Sequence, residues 1–193
     1  MSFHTLFPLS YFWKGEVDNV NLLLDHCNNI ENLTKVEKKD QPWKDRCLIE
    51  TYNITDESIL YKSLTNPLQK FADDLQKNTS ASNTVITIDY CWLNVYHKNY
   101  YQETHSHLTE GYNNDSRWSA VIFLNNGKGY STFSFVNPVP SLRKNNLVKS
   151  SWILDPKPGD VVIFPCETIH QVSPHKSSEK RMTIAFNFTL ESE

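Results

Sequence analysis

The order of elements along the chain predicts an α+β domain, mainly β, whose C-terminal part is an antiparallel sandwich or barrel. Three observations carry this. Apolar residues recur at helical spacing before residue 84 and at strand spacing after it. The later runs are short, rich in β-branched and aromatic side chains, and separated by Gly, Pro and Asn. No repeat and no linker divides the 193 residues, a length that suits one domain with a full core.

Taken in order, Asp18 is placed to cap a helix carrying Val20, Leu23, Leu24 and Cys27 on one face. Residues 31–50 are charged and read as loop. Thr55 is placed to cap a short helix from Asp56 to Leu64. Asn66-Pro67 then reads as an N-cap with proline at the first helical position. It opens an amphipathic helix to about Lys77, with Leu68, Phe71, Ala72 and Leu75 on one face, and NTSASN (78–83) turns the chain. From there the period is two. TVITIDYCWLNVY (84–96), RWSAVIFLN (117–125), YSTFSFV (130–136), LVKSSWIL (147–154), DVVIF (160–164) and RMTIAFNFTL (181–190) read as strands. Asn126 to Gly129 and the Pro156, Pro158, Gly159 segment are turns, and NPVPSLRKNN (137–146) is loop. The expected division is a helical part over about 1–83 and a sheet core over about 84–190.

Composition excludes several classes. Hydrophobic residues make up 39% and charged residues 21%, which describes a soluble globular protein and not a disordered one. The net charge of −3 provides no broad basic field for nucleic acid or an anionic membrane. No apolar run approaches the roughly 18 residues that span a bilayer. The four cysteines form no C-x-x-C pair and no zinc-knuckle spacing, so buried reduced thiols are expected. With no basic and apolar leader at the N-terminus, the expected compartment is the cytoplasm.

The chemistry concentrates in a few side chains. Residues two apart on a strand point the same way, so His105 and His107 converge on one ion if the chain is extended there. His170, on a neighbouring strand, would be the third partner. Neutral imidazole suits Fe(II) and other borderline divalent ions. Arg181 follows eleven residues after His170 and shares a face with Thr183 and Asn187, while Met182, Ile184, Phe186 and Phe188 share the other. An arginine facing a barrel interior must be paired with an anion, and its fork suits a carboxylate. The bland alternative is an Arg181 that faces solvent or pairs with a local glutamate. Trp92, Asn94 and Tyr96 share one face of their strand. His4, His26, His97 and His175 sit in no recognisable pattern and are expected to be solvated or locally hydrogen-bonded. Cys166 precedes His170, but no third residue supports a Cys-His nucleophile. Five glycines form no phosphate-binding loop.

Three segments carry a family resemblance. LNVYHKNYYQETHSH (93–107) resembles a strand in which an N-x-Y pair precedes Y-x-x-x-H-x-D. RWSAVIFLNNGKGYSTF (117–133) resembles R-x-T-x-x-x-Y-L-N followed by G-G-x-T-F. PKPGDVVIFPCETIHQVSPHKSSEKRMTIAFNF (156–188) resembles P-x-x-G-x-x-x-x-F-P-x-x-x-x-H-x-V-x-P followed by R-x-[ST]-I-x-F-N. These are patterns of the Fe(II)/2-oxoglutarate-dependent oxygenases. The chain is most similar to the small members of bacteria and tailed phages, with their H-x-H and their N-terminal Leu-Phe-Pro, here Leu6-Phe7-Pro8.

The resemblance implies a double-stranded β-helix (jelly-roll, cupin-like) with N-terminal supporting helices. It implies Fe(II) held by His105, His107 and His170, with 2-oxoglutarate as cosubstrate and O2 as oxidant. Arg181 with Thr183 or Tyr96 would hold the distal carboxylate, and Asn94 and Tyr96 would contact the cosubstrate, as their counterparts do in the alkylated-nucleobase demethylases. The reaction implied is hydroxylation of a C–H bond with release of succinate and CO2. His107 stands where the family usually has a carboxylate ligand, and Glu103, Glu110 and Asp115 are nearby substitutes. Three neutral histidines make Fe(II) plus the dianionic cosubstrate formally neutral, whereas a carboxylate ligand gives −1. The alternatives are a cupin-type metal-binding protein or 2-oxoglutarate-independent three-histidine dioxygenase, a ligand-binding jelly roll, and a structural protein that kept the fold. Arg181 at its spacing argues against the first. The loops expected to select the substrate (97–116 and 137–146) carry no readable code; Tyr100, Tyr101, Tyr112 and Trp118 are candidates to line a pocket.

Overall fold

Two antiparallel sheets face each other, and two helices cover the outer face of the larger one. The computed structural model describes residues 11–37, 47–55, 58–78, 84–108, 118–138 and 151–192. Its strands are β1 (Trp13–Glu16), β2 (Leu33–Lys35), β3 (Cys47–Leu48), β4 (Glu50–Ile54), β5 (Thr84–Tyr96), β6 (Tyr101–His105), β7 (Trp118–Phe123), β8 (Phe133–Val136), β9 (Ser151–Ile153), β10 (Asp160–Pro165), β11 (His170–Val172) and β12 (Arg181–Ser192). The helices are α1 (Val20–Asn28) and α2 (Ser58–Asn78). One sheet runs β1-β10-β7-β12-β5-β4-β2 and the other β3-β6-β11-β8-β9. This is the jelly-roll expected from the sequence.

Strand alternation divides the core in two. Leu93 and Val95 of β5, Ala120 and Ile122 of β7, Val161 and Ile163 of β10, and Met182, Ile184 and Phe186 of β12 meet the helices through Leu23, Leu60, Leu64, Leu68 and Phe71. Their neighbours one residue along, among them Val121, Phe123, Val162, Phe164 and Ala185, face Phe133, Phe135 and Val172 of the second sheet. β7 is therefore buried along its whole length, which is why its sequence is apolar on both faces.

The N-terminal part differs from the expectation. It is not only helical: β1 pairs with β10, β3 with β6 and β4 with β5, so residues before 84 complete both sheets. Residues 31–50, read as loop, contain β2, β3 and the start of β4. These strands are two to five residues long, too short for a period to emerge from a charged stretch. The N-cap of α1 is Asn19, in the left-handed region at φ 56°, and not Asp18. Asp18 instead accepts a hydrogen bond from the Asn66 amide and donates its own N–H to the carbonyl of Ser63 at 3.2 Å.

That bond explains a second difference. Two helices meeting at Asn66-Pro67 were expected, yet α2 runs unbroken with Pro67 inside it. Proline has no N–H to give the carbonyl four residues back. Here that carbonyl belongs to Ser63, and Asp18 satisfies it from outside. Pro67 itself is buried. The turn before β10 does follow the sequence. Gly159 holds φ +93°, its N–H donates to Phe123 O at 2.8 Å and its carbonyl accepts from Val17 N at 2.8 Å. No helix among the described residues is long and apolar enough to cross a membrane. Leu6-Phe7-Pro8, His4, the Asp56 helix start, residues 79–83, Glu110, Tyr112, Asp115 and residues 139–150 lie outside the described residues.

Candidate active site

Between the sheets lies a cavity of about 270 Å³, lined in part by His105, His107, His170, Asn94, Tyr96, Arg181 and Thr183. Sheet pairing brings most of these together. His105, the last residue of β6, is the direct cross-strand partner of His170, the first residue of β11. Cross-strand partners share a face, so the two rings meet at 4.3 Å between centroids. His107 arrives differently. It lies past the end of β6, and its N–H donates to the carbonyl of Cys166, just beyond β10, at 2.9 Å. Its ring is 5.7 Å from His105 and 5.0 Å from His170. The ligand atoms of all three histidines lie within 4.8 Å of one another.

The hydrogen bonds decide which nitrogen each ring offers. His105 Nδ1 is 2.6 Å from the Glu103 carbonyl and His170 Nδ1 is 2.9 Å from the Thr168 carbonyl. A carbonyl only accepts, so each Nδ1 carries the proton and each Nε2 keeps a lone pair. His107 Nδ1 is 2.9 Å from Asn187 Oδ1 and 2.7 Å from Ser119 Oγ, which gives the same tautomer. Burial pushes all three imidazoles down, that of His107 to about 4, with the neighbouring His105 adding to the shift at His107 and His170. Three neutral nitrogen donors at this spacing fit a borderline divalent ion such as Fe(II). No carboxylate joins the cluster among the described residues; Glu103 is exposed and outside the cavity lining.

Arg181 opens β12 opposite Tyr96 at the end of β5. It is 2% exposed and forms no salt bridge among the described residues. Its Nη1 donates to Ser131 Oγ at 2.8 Å, and its guanidinium carbon lies 5.1 Å from the Tyr96 ring centroid and 5.5 Å from that of Phe123. Desolvation pulls its pKa down, opposed by the Tyr96 hydroxyl. Thr183, one turn of the pleat further, pairs with Asn94. Asn94 Oδ1 accepts from Thr51 Oγ1 at 3.2 Å, and the Tyr96 hydroxyl donates to Gln102 Oε1. Among the described residues this buried cation has a neutral hydroxyl and two aromatic rings for partners and no anion, beside neutral metal-type donors, an arrangement that suits a small anion.

The sequence did not announce every member. Ser131, which anchors Arg181, gave no signal. Its own N–H donates to Nδ1 of His175, whose Nε2 donates to the Glu179 carbonyl at 2.7 Å. His175 is thus buried and locally bonded. His26 is also buried, with Asn32 at its Nδ1, while exposed His97 pairs with Glu50. Ser119 left a faint sign, as the one hydroxyl in the apolar run WSAVIF. The aromatic candidates were misplaced. Tyr100 and Tyr101 do not line the cavity, and Trp118 packs edge-on to Phe71 in the helix-side core. Tyr90 and Trp92 line the mouth instead, because the alternation that exposes Asn94 to the cavity exposes them too. Cys166 is a buried thiol whose pKa burial pushes up, the opposite of an activated nucleophile.

Comparison with known proteins agrees with this geometry. A family model described as "Putative 2OG-Fe(II) oxygenase" matches residues 90–187. Among solved structures, a prolyl-4-hydroxylase from Pseudomonas putida superposes with a TM-score of 0.63 at 15% identity, over 93% of this chain and 92% of that one. HygX from Streptomyces hygroscopicus, solved with nickel, 2-oxoglutarate and hygromycin B, gives 0.57 at 13% identity over 93% and 82%. The viral collagen prolyl hydroxylase of Paramecium bursaria Chlorella virus-1, in its 2-oxoglutarate complex, gives 0.57 at 12% over 92% and 95%. No curated protein sequence matches the chain. At such identities the structures speak for the fold, and the family model speaks for the chemistry. Its match spans half the chain, from Tyr90 at the cavity mouth to Asn187 behind His107, and so encloses all three histidines and Arg181: the chain belongs to the Fe(II)- and 2-oxoglutarate-dependent oxygenases.

Proposed function

We propose that His105, His107 and His170 hold the Fe(II) of this oxygenase through their Nε2 atoms, and that Arg181 with Thr183 receives the distal carboxylate of 2-oxoglutarate. Asn94 and Tyr96 flank the cosubstrate from β5. When bound, iron with 2-oxoglutarate and O2 supplies an oxidant for a C–H bond. The balanced outcome is a hydroxylated product, succinate and CO2. The chain's own residues set this up. The three imidazoles stay neutral and aimed, Arg181 orients the dicarboxylate, and the apolar walls Val121, Phe133 and Val172 keep water out. The observation that carries the reading is the buried Arg181, lacking a carboxylate partner among the described residues, in one cavity with three histidines of one tautomer.

The solved relatives include one bound to hygromycin B and two named as prolyl hydroxylases. Tyr90 and Trp92 line the same cavity as the three histidines, and succinate release measured over candidate pools identifies the prime substrate. Residues 1–193 act as one oxygenase unit, since β1, β3 and β4 complete sheets built from the later strands. The four buried cysteine thiols support a reducing, cytoplasmic setting. The test is anaerobic titration with Fe(II), with and without 2-oxoglutarate, following the weak visible charge-transfer band of the chelate. A band that requires both, and that is lost in His170→Ala, is the expected result. Iron binding that is indifferent to 2-oxoglutarate, with no succinate formed in air, overturns it.

A further inference from the structure

His105 and His170 are held by a sheet ladder; His107 is not. A side chain past a strand end needs some other device to aim it. The structure supplies one from two strands and the residue just past a third. His107 Nδ1 lies 2.9 Å from Asn187 Oδ1 on β12 and 2.7 Å from Ser119 Oγ on β7. Ser119 and Asn187 are direct partners across the β7–β12 ladder, and the serine hydroxyl donates to Asn187 Oδ1 at 2.9 Å. Ser119 Oγ is also 3.1 Å from Cys166 Sγ, and the Cys166 carbonyl holds the His107 N–H at 2.9 Å. Ser119 is 0% exposed and Cys166 2%.

Proton bookkeeping leaves one arrangement. The serine has one hydrogen, and it goes to the Asn187 oxygen. Its lone pairs then remain for the Cys166 S–H and the His107 Nδ1–H. The amide oxygen accepts from both the serine and the imidazole. Asn187 Oδ1 can only accept, so its contact with His107 Nδ1 is a hydrogen bond only if that nitrogen carries the proton. The ring nitrogen left unprotonated is Nε2, and the ligand atoms of the three histidines lie within 4.8 Å of one another. Carbonyls do this for His105 and His170, within two residues of each; His107 takes it from side chains far away in sequence.

Resting on the three-histidine reading, we infer that Asn187 and Ser119 are positioning residues dedicated to His107, with Cys166 as the clamp on its backbone. A carboxylate brought in from elsewhere would leave this acceptor pair without a purpose, since only an N–H needs it. An acceptor behind a metal-bound histidine typically contributes a factor of 10–100 in metal affinity. The rival explanation is that Asn187 and Ser119 merely lock β7 to β12.

The test uses Co(II) titration of the full chain, read by the visible d–d band, with thermal unfolding of each metal-free variant recorded alongside. Asn187→Leu removes the acceptor and should weaken Co(II) binding roughly 10- to 100-fold. Asn187→Asp keeps an acceptor for the same N–H and should bind within a few-fold of the parent. Ser119→Ala should weaken binding roughly threefold to tenfold. In a His107→Ala background, Asn187→Leu should add no further loss, because the residue it serves is gone. If Asn187→Leu and Asn187→Asp lose affinity equally, or if the loss persists in full in the His107→Ala background, the role is structural and the inference is overturned. Should Asn187→Leu fail to fold, Ser119→Ala with and without His107→Ala makes the same comparison. A parent chain that binds no Co(II) at all refutes the three-histidine site itself, which is a separate outcome.

Discussion

Replacing Arg181 by methionine separates two roles of the same side chain. Arg181 is buried, and an isolated buried ion costs several kcal/mol in desolvation. In the apo chain that cost is offset by its hydrogen bond to Ser131, about 1.5–3 kcal/mol for a charged donor, and by the rings of Tyr96 and Phe123, up to about 2 kcal/mol each when desolvated. These terms nearly cancel, so Arg181→Met should leave the apo melting temperature within a few degrees of the parent. The ligand-dependent effect does not cancel. Losing the carboxylate partner should weaken 2-oxoglutarate by about 2–5 kcal/mol, at least about 30-fold in Kd. At 100 times the parent Kd, 2-oxoglutarate stabilises the parent by about 2.7 kcal/mol, or about 5–11 °C for a domain of this size. In Arg181→Met the same concentration should give less than about 1 kcal/mol. The assay is thermal unfolding of the iron-loaded protein, anaerobically, across a 2-oxoglutarate series. A variant that keeps the full ligand-dependent shift, with iron affinity unchanged, refutes the assignment of Arg181 to the cosubstrate.

Three other outcomes follow from the same geometry. Ser131→Ala removes the hydroxyl that fixes the guanidinium and should weaken 2-oxoglutarate by about 0.5–1.5 kcal/mol while sparing iron; equal cosubstrate affinity by calorimetry would show that Arg181 needs no anchor. Leu93→Ala, at 0% exposed between β5 and the helices, should cost about 2–5 kcal/mol in urea unfolding; a loss under about 1 kcal/mol would mean that the helix-side core is not packed as described. Glu50 sets an acid limb. Partial burial pushes its carboxyl up, but hydrogen bonds from Lys35, Tyr52 and His97 outweigh this and hold it at about 2, below its ordinary 4.5. A depressed carboxyl adds stability above 4.5 that is lost as pH falls toward 2, so the urea midpoints of the parent and Glu50→Gln should converge across that window; parallel curves would contradict the network.

The fold was legible where segments were long and periodic. β5 begins and ends at the residues that its alternation marks, and β12 begins at Arg181 as expected. What escaped were strands that carry no pattern of their own. β3 has two residues and β2 three, and each exists because a longer neighbour offers it a ladder. Pro67 shows the same limit from the other side. A local rule ends a helix there, and a contact from Asp18, 49 residues away, cancels the rule.

The site divides along the same line. His105, His170, Arg181, Thr183, Asn94 and Tyr96 are strand residues, so period and spacing place them, and the ladder pairs His105 with His170 and Arg181 with Tyr96. His107 was expected on the same continuous strand as His105, which would aim both rings by parity. The strand stops at His105, and parity says nothing about the next two residues. His107 reaches the cluster because a backbone bond to Cys166 and side-chain bonds to Asn187 and Ser119 replace the ladder. Those three partners lie between 12 and 80 positions away, so no local window could have held the reason. A residue placed by sheet register tolerates its neighbours' changes as long as the register holds. A residue placed by two side chains and a carbonyl does not. This makes the His107 corner the place where change at a position remote in sequence, such as Ser119, should reach the candidate metal site first.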